Sequence, residues 1–343
     1  MVNKVFKINL YRESFTEVEK VILKNENFEV TIKKYRKGIE SLFLKNSRGY
    51  VEVLPFFGQI IWDANFSGHS LRMKNMFQEP QPAHEISDTY GCFAFHSGLL
   101  AAGCPSPADS HPLHGEFPTA TMDYAWLEVS ENSVRVVSEY EYVRGFGHHY
   151  CARPSVKLSV DSTLFDIDLE VQNLSSYAKM PLQYMCHMNY AFVEDGEMAQ
   201  NIPDDAFQLR RTVPAHVIPT KRWSELNEKI ISGDISADSL KYAKEFDPEI
   251  VYFADNLPQY GDVAEFSIEA PDGSIFCTKF KTADFPVATR WLLYNADQQV
   301  VAFVLPGTSR PEGFLAAQAA GTLIELSAGE LRRFSVTTGL KEK

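Results

Sequence analysis

The chain has 343 residues, of which 33 are Lys or Arg and 45 are Asp or Glu, a formal net charge of −12. That acid excess argues against a nucleic-acid ligand, whose phosphates need basic surface to displace their counterions. With 45% hydrophobic and 23% charged residues the chain is not of the disordered class, and no apolar run approaches the roughly 20 residues of a membrane span.

Met1 to Leu10 carries charges without the apolar core of a signal peptide. Ser14-x-x-Glu17 has the form of a helix-capping box, although the Val18, Val21 and Ile22 that follow suit a strand equally. Phe28, Val30 and Ile32 alternate with polar neighbours, as the side chains on one face of a strand must. From Phe77 to Met122, Pro, Gly, Ser and His recur without a long alternating run. A long irregular segment inside a compact β domain is usually functional. Ser133 to Val143 reads as a long strand opened by Glu131-Asn132. Val156, Leu158 and Val160 lead through Asp161-Ser162-Thr163 into Phe165, Ile167, Leu169 and Val171, which predicts a hairpin. A second hairpin runs from Phe266 and Ile268 through Pro271-Asp272-Gly273 to Ile275 and Cys277. A third is expected to join Leu323-Ile324-Glu325-Leu326 to Phe334-Ser335-Val336 across Ala328-Gly329. Helix formers gather only in Ser224 to Ile231 and Ala237 to Phe246. Strands separated by turns rather than helices predict an all-β fold, one large antiparallel domain over residues 1–343 with a few short helices.

The five cysteines, Cys92, Cys104, Cys151, Cys186 and Cys277, are odd in number, widely spaced and free of any C-x-x-C. They read as reduced thiols, and with the missing leader they predict a cytoplasmic protein.

Histidine is the side chain best suited to moving protons near neutral pH. Of nine, His84, His96, His111 and His114 fall in the irregular segment, and His148, His149, His187 and His216 lie beyond it. His111-Pro112-Leu113-His114 could supply two metal ligands, with His96 or His187 as a third. Pro112, however, removes the helix that would place the pair on one face, and there is no H-E-x-x-H or H-x-x-E-H. No metal and no cofactor are therefore assigned. His96-Ser97-Gly98 lacks the G-x-S-x-G elbow, and Gly145-Phe146-Gly147 lacks the rest of a phosphate cradle. In Met185-Cys186-His187-Met188-Asn189-Tyr190, strand alternation puts His187 and Asn189 on one face. A polar pair there costs burial energy unless it meets water or a ligand, so the segment is either a site or an exposed strand face.

Pro112-Leu113-His114-Gly115, followed after two hairpins by Cys186-His187-Met188-Asn189, resembles the aldose 1-epimerase (galactose mutarotase-like) superfamily. The nearer likeness is to a branch of poorly characterised bacterial sugar-epimerase-like proteins. Gly58-Gln59-Ile60-Ile61-Trp62, Tyr90-Gly91-Cys92-Phe93 and the stretch from Trp291 to Leu305-Pro306-Gly307-Thr308 extend it over most of the chain from Val51 onward. The resemblance implies a β-supersandwich with a sugar site in an open cleft, a small-molecule sugar as partner, and anomer interconversion by acid–base ring opening without a cofactor. It implies His187 as the acid, His114 as its partner near the ring oxygen, and Arg72 as a sugar-binding arginine. His96, Glu116 and Asn189 are further candidate contacts, and Trp291 offers either a stacking face or core. One departure stands out: the position of the superfamily's glutamate base falls on Leu305, which takes no proton. Glu312, in Arg310-Pro311-Glu312-Gly313, is the expected replacement, ahead of Glu116. Two other readings stay open, a catalytically silent carbohydrate-binding protein and a metal-dependent isomerase using His96, His111 and His114. The particular sugar and the oligomeric state are not legible.

Overall fold

The computed structural model describes residues 5–214, 217–236, 239–242 and 245–341, so His216 lies outside the described residues. Two antiparallel sheets carry the fold. The nine-stranded sheet runs edge to edge through β1 (Phe6–Leu10), β9 (Tyr124–Val129), β10 (Ser133–Val143), β11 (His149–Ser159), β12 (Leu164–Asn173), β22 (Leu331–Lys341), β18 (Ile275–Lys281), β17 (Val263–Glu269) and β14 (Glu197–Gln200). The thirteen-stranded sheet begins with β15 (Gln208–Leu209), β16 (Ile250–Ala254), β19 (Val287–Tyr294), β20 (Gln299–Gly307), β13 (Met180–Met188) and β8 (Ala94–Leu99). It continues through β6 (Ile61–Phe66), β5 (Gly49–Val53), β4 (Glu40–Asn46), β3 (Glu29–Lys34) and β2 (Lys20–Lys24). β7 (His69–Ser70) pairs with β6, and β21 (Ile324–Leu326) with β13.

Alternation in the sequence becomes burial in the structure. Along β12 Phe165, Ile167, Leu169 and Val171 are buried while the residues between them are half-buried. Four such side chains contribute roughly 6–12 kcal/mol of gross hydrophobic stabilisation, most of it offset by chain entropy. They meet Val30, Leu42 and Val51 of the other sheet in one buried cluster between the two layers. The turn before β12 has Asp161 at φ +51°, the left-handed conformation that Asp tolerates better than most residues.

The second hairpin, β17–β18, pairs as expected, and Ser133 to Val143 is β10. The third expected hairpin is absent. β21 pairs with β13 in one sheet, whereas β22 pairs with β12 and β18 in the other. The turn at Ala328-Gly329 carries the chain across the sandwich, and Asn173 holds it there by donating from Nδ2 to the carbonyls of Leu326 and Ser327. After Ser14 the chain forms strand β2, not a helix, so the apparent capping box caps nothing. Ser224 to Ile231 lies within α1 (Lys221–Ser232), capped by Thr220, whose Oγ1 accepts from Trp223 N, and stopped by Gly233 at φ +84°. Ala237 to Phe246 shows no α-helix among its described residues, and positions 237, 238, 243 and 244 lie outside them. A second helix, α2 (Phe314–Ala319), was not anticipated.

β8 and β13, at the centre of the larger sheet, are covered on both faces. All six residues of β8 are buried, which erases any alternation and explains why the sequence shows no strand there. One face packs on the nine-stranded sheet; over the other, Phe77, Ala83, Tyr90 and Leu113 of the irregular segment pack on Trp62 and Phe95. That second face carries the candidate site.

Candidate functional site

A cavity of about 460 Å³ opens on the outer face of the larger sheet, and His114, His187, Tyr90, Trp291, Glu249 and Leu305 line it. A groove of about 610 Å³ on the smaller sheet is larger. Several of its charges are already matched, Arg135 with Asp168 at 3.1 Å and Arg333 with Glu170 at 2.7 Å, and no histidine among the described residues lines it. The chemistry lies in the first cavity.

His187 projects from β13, where Met185 and His187 face the cavity and Tyr184 and Cys186 face the core. Its ring stacks on Phe95, directly across from it on β8, with centroids 4.5 Å apart at 15°. Nε2 lies 3.1 Å from the Tyr90 hydroxyl. Nδ1 is buried without a hydrogen-bond partner among the described residues, as is Oδ1 of Asn189 two positions on. Burial drives the imidazole pKa well below its ordinary value and the nearby His114 adds to the effect, while the Asn189 side chain works in the opposite sense.

His114 arrives from the loop after β8, and the backbone there is tightly constrained. His114 adopts φ +64° and Gly115 φ +83°. A Cβ on Gly115 would stand 2.1 Å from the Ala101 carbonyl oxygen and 2.4 Å from that of Gly98. His114 N donates to Gly103 O at 2.8 Å and Gly98 N to His114 O at 2.9 Å, fastening the loop to β8. A non-glycine residue at positive φ costs on the order of 1–3 kcal/mol and persists only where its surroundings impose it. Here the outcome is a ring set perpendicular to that of His187, at 87° with centroids 4.9 Å apart, its Nδ1 held 3.0 Å from Ser97 Oγ.

Trp291 stands on β19 with its ring 5.7 Å from His187 and 6.0 Å from Tyr90. Its Nε1 donates to Oε2 of Glu249 at 2.7 Å. Glu249 immediately precedes β16, in which Val251 pairs with Trp291. The Glu249 carbonyl accepts from Trp223 Nε1 of α1 at 2.6 Å. Two indoles thus hold this residue, one at its backbone and one at its carboxylate. Tyr90 and Glu249 were not among the expected site residues. Tyr90 sits in a motif already singled out, but nothing in Asp247-Pro248-Glu249 marks a buried carboxylate, because its neighbour Trp291 is 42 positions away.

The structure brings His114, His187 and Trp291 together and sets the other candidates elsewhere. His96 points the opposite way from Phe95 and Ser97 on β8, into the core, where Nδ1 lies 2.9 Å from the Tyr184 hydroxyl and burial pushes its pKa down to about 3. Glu116 accepts from the backbone N–H groups of Leu99 and Leu100 and from the Tyr150 hydroxyl. Those bonds hold the loop to β8 and turn the carboxylate away from the cavity. Glu312 lies behind the wall, accepting from Thr212 Oγ1 at 3.0 Å with Arg210 Nε 3.5 Å away. The strand-like bridge between Gly103 and Glu312 fixes that direction. Arg72 lies over Trp62 on the neighbouring part of the sheet, 3.6 Å from Asp63, outside the cavity lining. Asn189 donates from Nδ2 to the Cys92 carbonyl at 3.1 Å. His111 turns toward α2: Phe314 N donates to its Nε2 at 3.3 Å, so Nδ1–H donates to Pro112 O. It therefore does not share a centre with His114. Among the described residues no three His, Cys, Asp or Glu side chains converge as metal ligands. Leu305 does line the cavity, as its place in the resemblance implies, and is 1% exposed.

The architecture is a galactose mutarotase-like β-sandwich. A crystal structure described as a "putative aldose 1-epimerase" from Klebsiella pneumoniae superposes with a TM-score of 0.79 at 14% identity, covering 98% of this chain and 91% of that one. A galactose mutarotase-like protein from Clostridium acetobutylicum gives 0.62 at 11% identity, covering 93% and 100%. A "putative mutarotase" from Salmonella typhimurium gives 0.61 at 9%, covering 94% and 97%. At these identities the likeness establishes the fold. No protein-family model and no curated protein matches the sequence.

Proposed function

We propose that this protein is a cofactor-free aldose 1-epimerase acting on a free, uncharged aldose. The observation that carries the reading is the crossed pair of imidazoles, His114 and His187, in a cavity that also holds a carboxylate and an indole. Anomer exchange needs the C1 hydroxyl to lose a proton as the ring oxygen gains one, and then the reverse after rotation about C1–C2. Both imidazoles are suited to the ring-oxygen side. A buried, neutral imidazole can act as an electrophile, polarising an oxygen as charge builds on it and then releasing its N–H proton. Trp291 supplies an apolar face for sugar C–H groups.

Charge supports an uncharged substrate. Asp247 and Glu249 face the cavity against one guanidinium, Arg210, which already has Glu312 3.5 Å from its Nε. A phosphate or carboxylate on the sugar would meet net negative potential. The five cysteines are free, in keeping with a cytoplasmic setting.

The test is NMR saturation transfer between anomers across a panel of free hexoses, pentoses and deoxy sugars, without added metal. Exchange above the uncatalysed rate is expected for at least one sugar, and His187→Asn should slow it on the order of 10²–10⁴-fold, the usual contribution of a general acid. Binding should change far less, since the interaction strengthens as the ring opens. Absence of exchange on every sugar would sink the enzyme. Calorimetric binding without exchange would favour the silent carbohydrate-binding reading, which Leu305 independently motivates.

A further inference from the structure

We infer that Glu249 is the general base of the proposed ring opening, presented from the start of β16 instead of from β20. The inference rests on the epimerase reading and names the group that reading leaves open. Leu305 on β20 is an aliphatic side chain in the cavity wall, so that strand offers no proton acceptor at this position. Among the described residues two carboxylates line the cavity, Asp247 and Glu249. Asp247 is exposed, whereas Glu249 is 9% exposed.

Three features suit Glu249 to the task. It is positioned at both ends, by Trp291 Nε1 on Oε2 and by Trp223 Nε1 on its carbonyl oxygen. A base must sit within about 3 Å of the proton it takes, so a carboxylate with a fixed heading is worth more than a mobile one. It also lines the cavity, which Glu312 does not. Glu312, by contrast, lies behind the wall, accepting from Thr212 Oγ1 with the Arg210 and Arg310 guanidiniums 3.5 and 4.0 Å away. Finally, its charge reaches the acid side of the cavity: the pKa of Tyr90, whose hydroxyl touches His187, is raised chiefly by burial, and Glu249 adds to the effect.

The step balances. Glu249 takes the O1 proton, the C1–O5 bond breaks with its electron pair going to O5, and O5 takes a proton from the imidazole side while C1=O1 forms. Ring closure on the other face returns both protons, leaving the enzyme unchanged.

Glu249→Gln keeps an oxygen for the Trp291 N–H and removes the basic site. Exchange should fall on the order of 10²–10⁴-fold with sugar affinity altered only a few-fold, and the acidic limb of the pH–rate profile should disappear with it. If that variant does not fold, Glu249→Ala is assayed with added formate, which should restore part of the exchange in proportion to its concentration. An active parent whose Glu249→Gln variant exchanges at the parent rate, or whose Glu249→Ala variant shows no response to formate, overturns the base alone. So does a loss of the acidic limb in Asp247→Asn or Glu312→Gln in its place. An inactive parent overturns the epimerase reading and the base with it.

Discussion

Acid should destabilise this protein through His96 in a way that can be isolated from its carboxylates. His96 is 1% exposed, stacked on Tyr184 at 5.8 Å and 25°, with Nδ1 2.9 Å from the tyrosine hydroxyl. Burial holds its pKa down to about 3, against 6.5 for an unperturbed imidazole. The folded chain therefore keeps His96 neutral between those values while the unfolded chain protonates it. Where the unfolded state binds more protons, stability rises with pH; the His96 contribution is complete above pH 6.5 and erodes as pH falls toward 3. Each unit below 6.5 costs about 1.4 kcal/mol, so lowering the pH to about 5 should remove roughly 2 kcal/mol. His187, also buried with a lowered pKa, shifts stability in the same direction. The assay is urea unfolding of the parent and of His96→Gln from about pH 7.5 down to about 5. Gln can replace the bond to Tyr184 and does not titrate, and effects of other groups cancel in the difference. The parent should lose roughly 2 kcal/mol relative to the variant over that interval. Parallel curves would mean that the imidazole is hydrated or already protonated in the folded state, and the buried assignment would fail.

Gly115→Ala should cost on the order of 2–4 kcal/mol, because a Cβ meets two carbonyl oxygens at a positive φ, and should slow exchange by displacing His114; a normal Tm with normal exchange would refute the account of that loop. Glu116→Ala should lower stability by roughly 3 kcal/mol, since it strands the N–H groups of Leu99 and Leu100 and the Tyr150 hydroxyl. An unchanged thermal midpoint would show that water replaces the carboxylate without loss.

The sandwich explains how a site of this kind can be built from scattered residues. Each functional side chain comes from a strand of the larger sheet or from chain fastened to its end, so geometry is set by sheet register and not by local loop preference. His187 and Phe95 are cross-strand partners, and Trp291 and Val251 are another such pair. Tyr90 and His114 then line the cavity from outside the sheet, and Trp223 braces the Glu249 carbonyl behind it. The irregular segment from Phe77 to Met122 supplies the fully buried strand β8 and the flanking chain that folds over it, and neither shows an alternating repeat.

Backbone geometry alone made much of this protein legible from its sequence. A strand turns its side chains over with period 2 wherever it occurs, so the alternation of β10, β11, β12, β17 and β18 showed both the strands and their buried faces. Short turns such as Asp161-Ser162-Thr163 linked neighbours with no reference to the rest of the chain. The same parity put His187 and Asn189 on one face, while the family resemblance, not parity, marked Leu305 as a gap in the expected chemistry. What tertiary structure decided was everything that depends on a distant partner. β8 hides because both its faces are covered, and coverage is not a property of six residues. His96 and Ser97 are adjacent in sequence, yet one faces the core and the other holds the His114 imidazole, and only the pairing of β8 with β13 says which. Ala328-Gly329 reads as a hairpin turn, but packing sends β21 and β22 to opposite sheets. Glu249 is one ordinary glutamate among many until the register of β16 against β19 sets it beside the Trp291 indole; that neighbour, 42 positions along the chain, is supplied by long-range packing that no local pattern encodes.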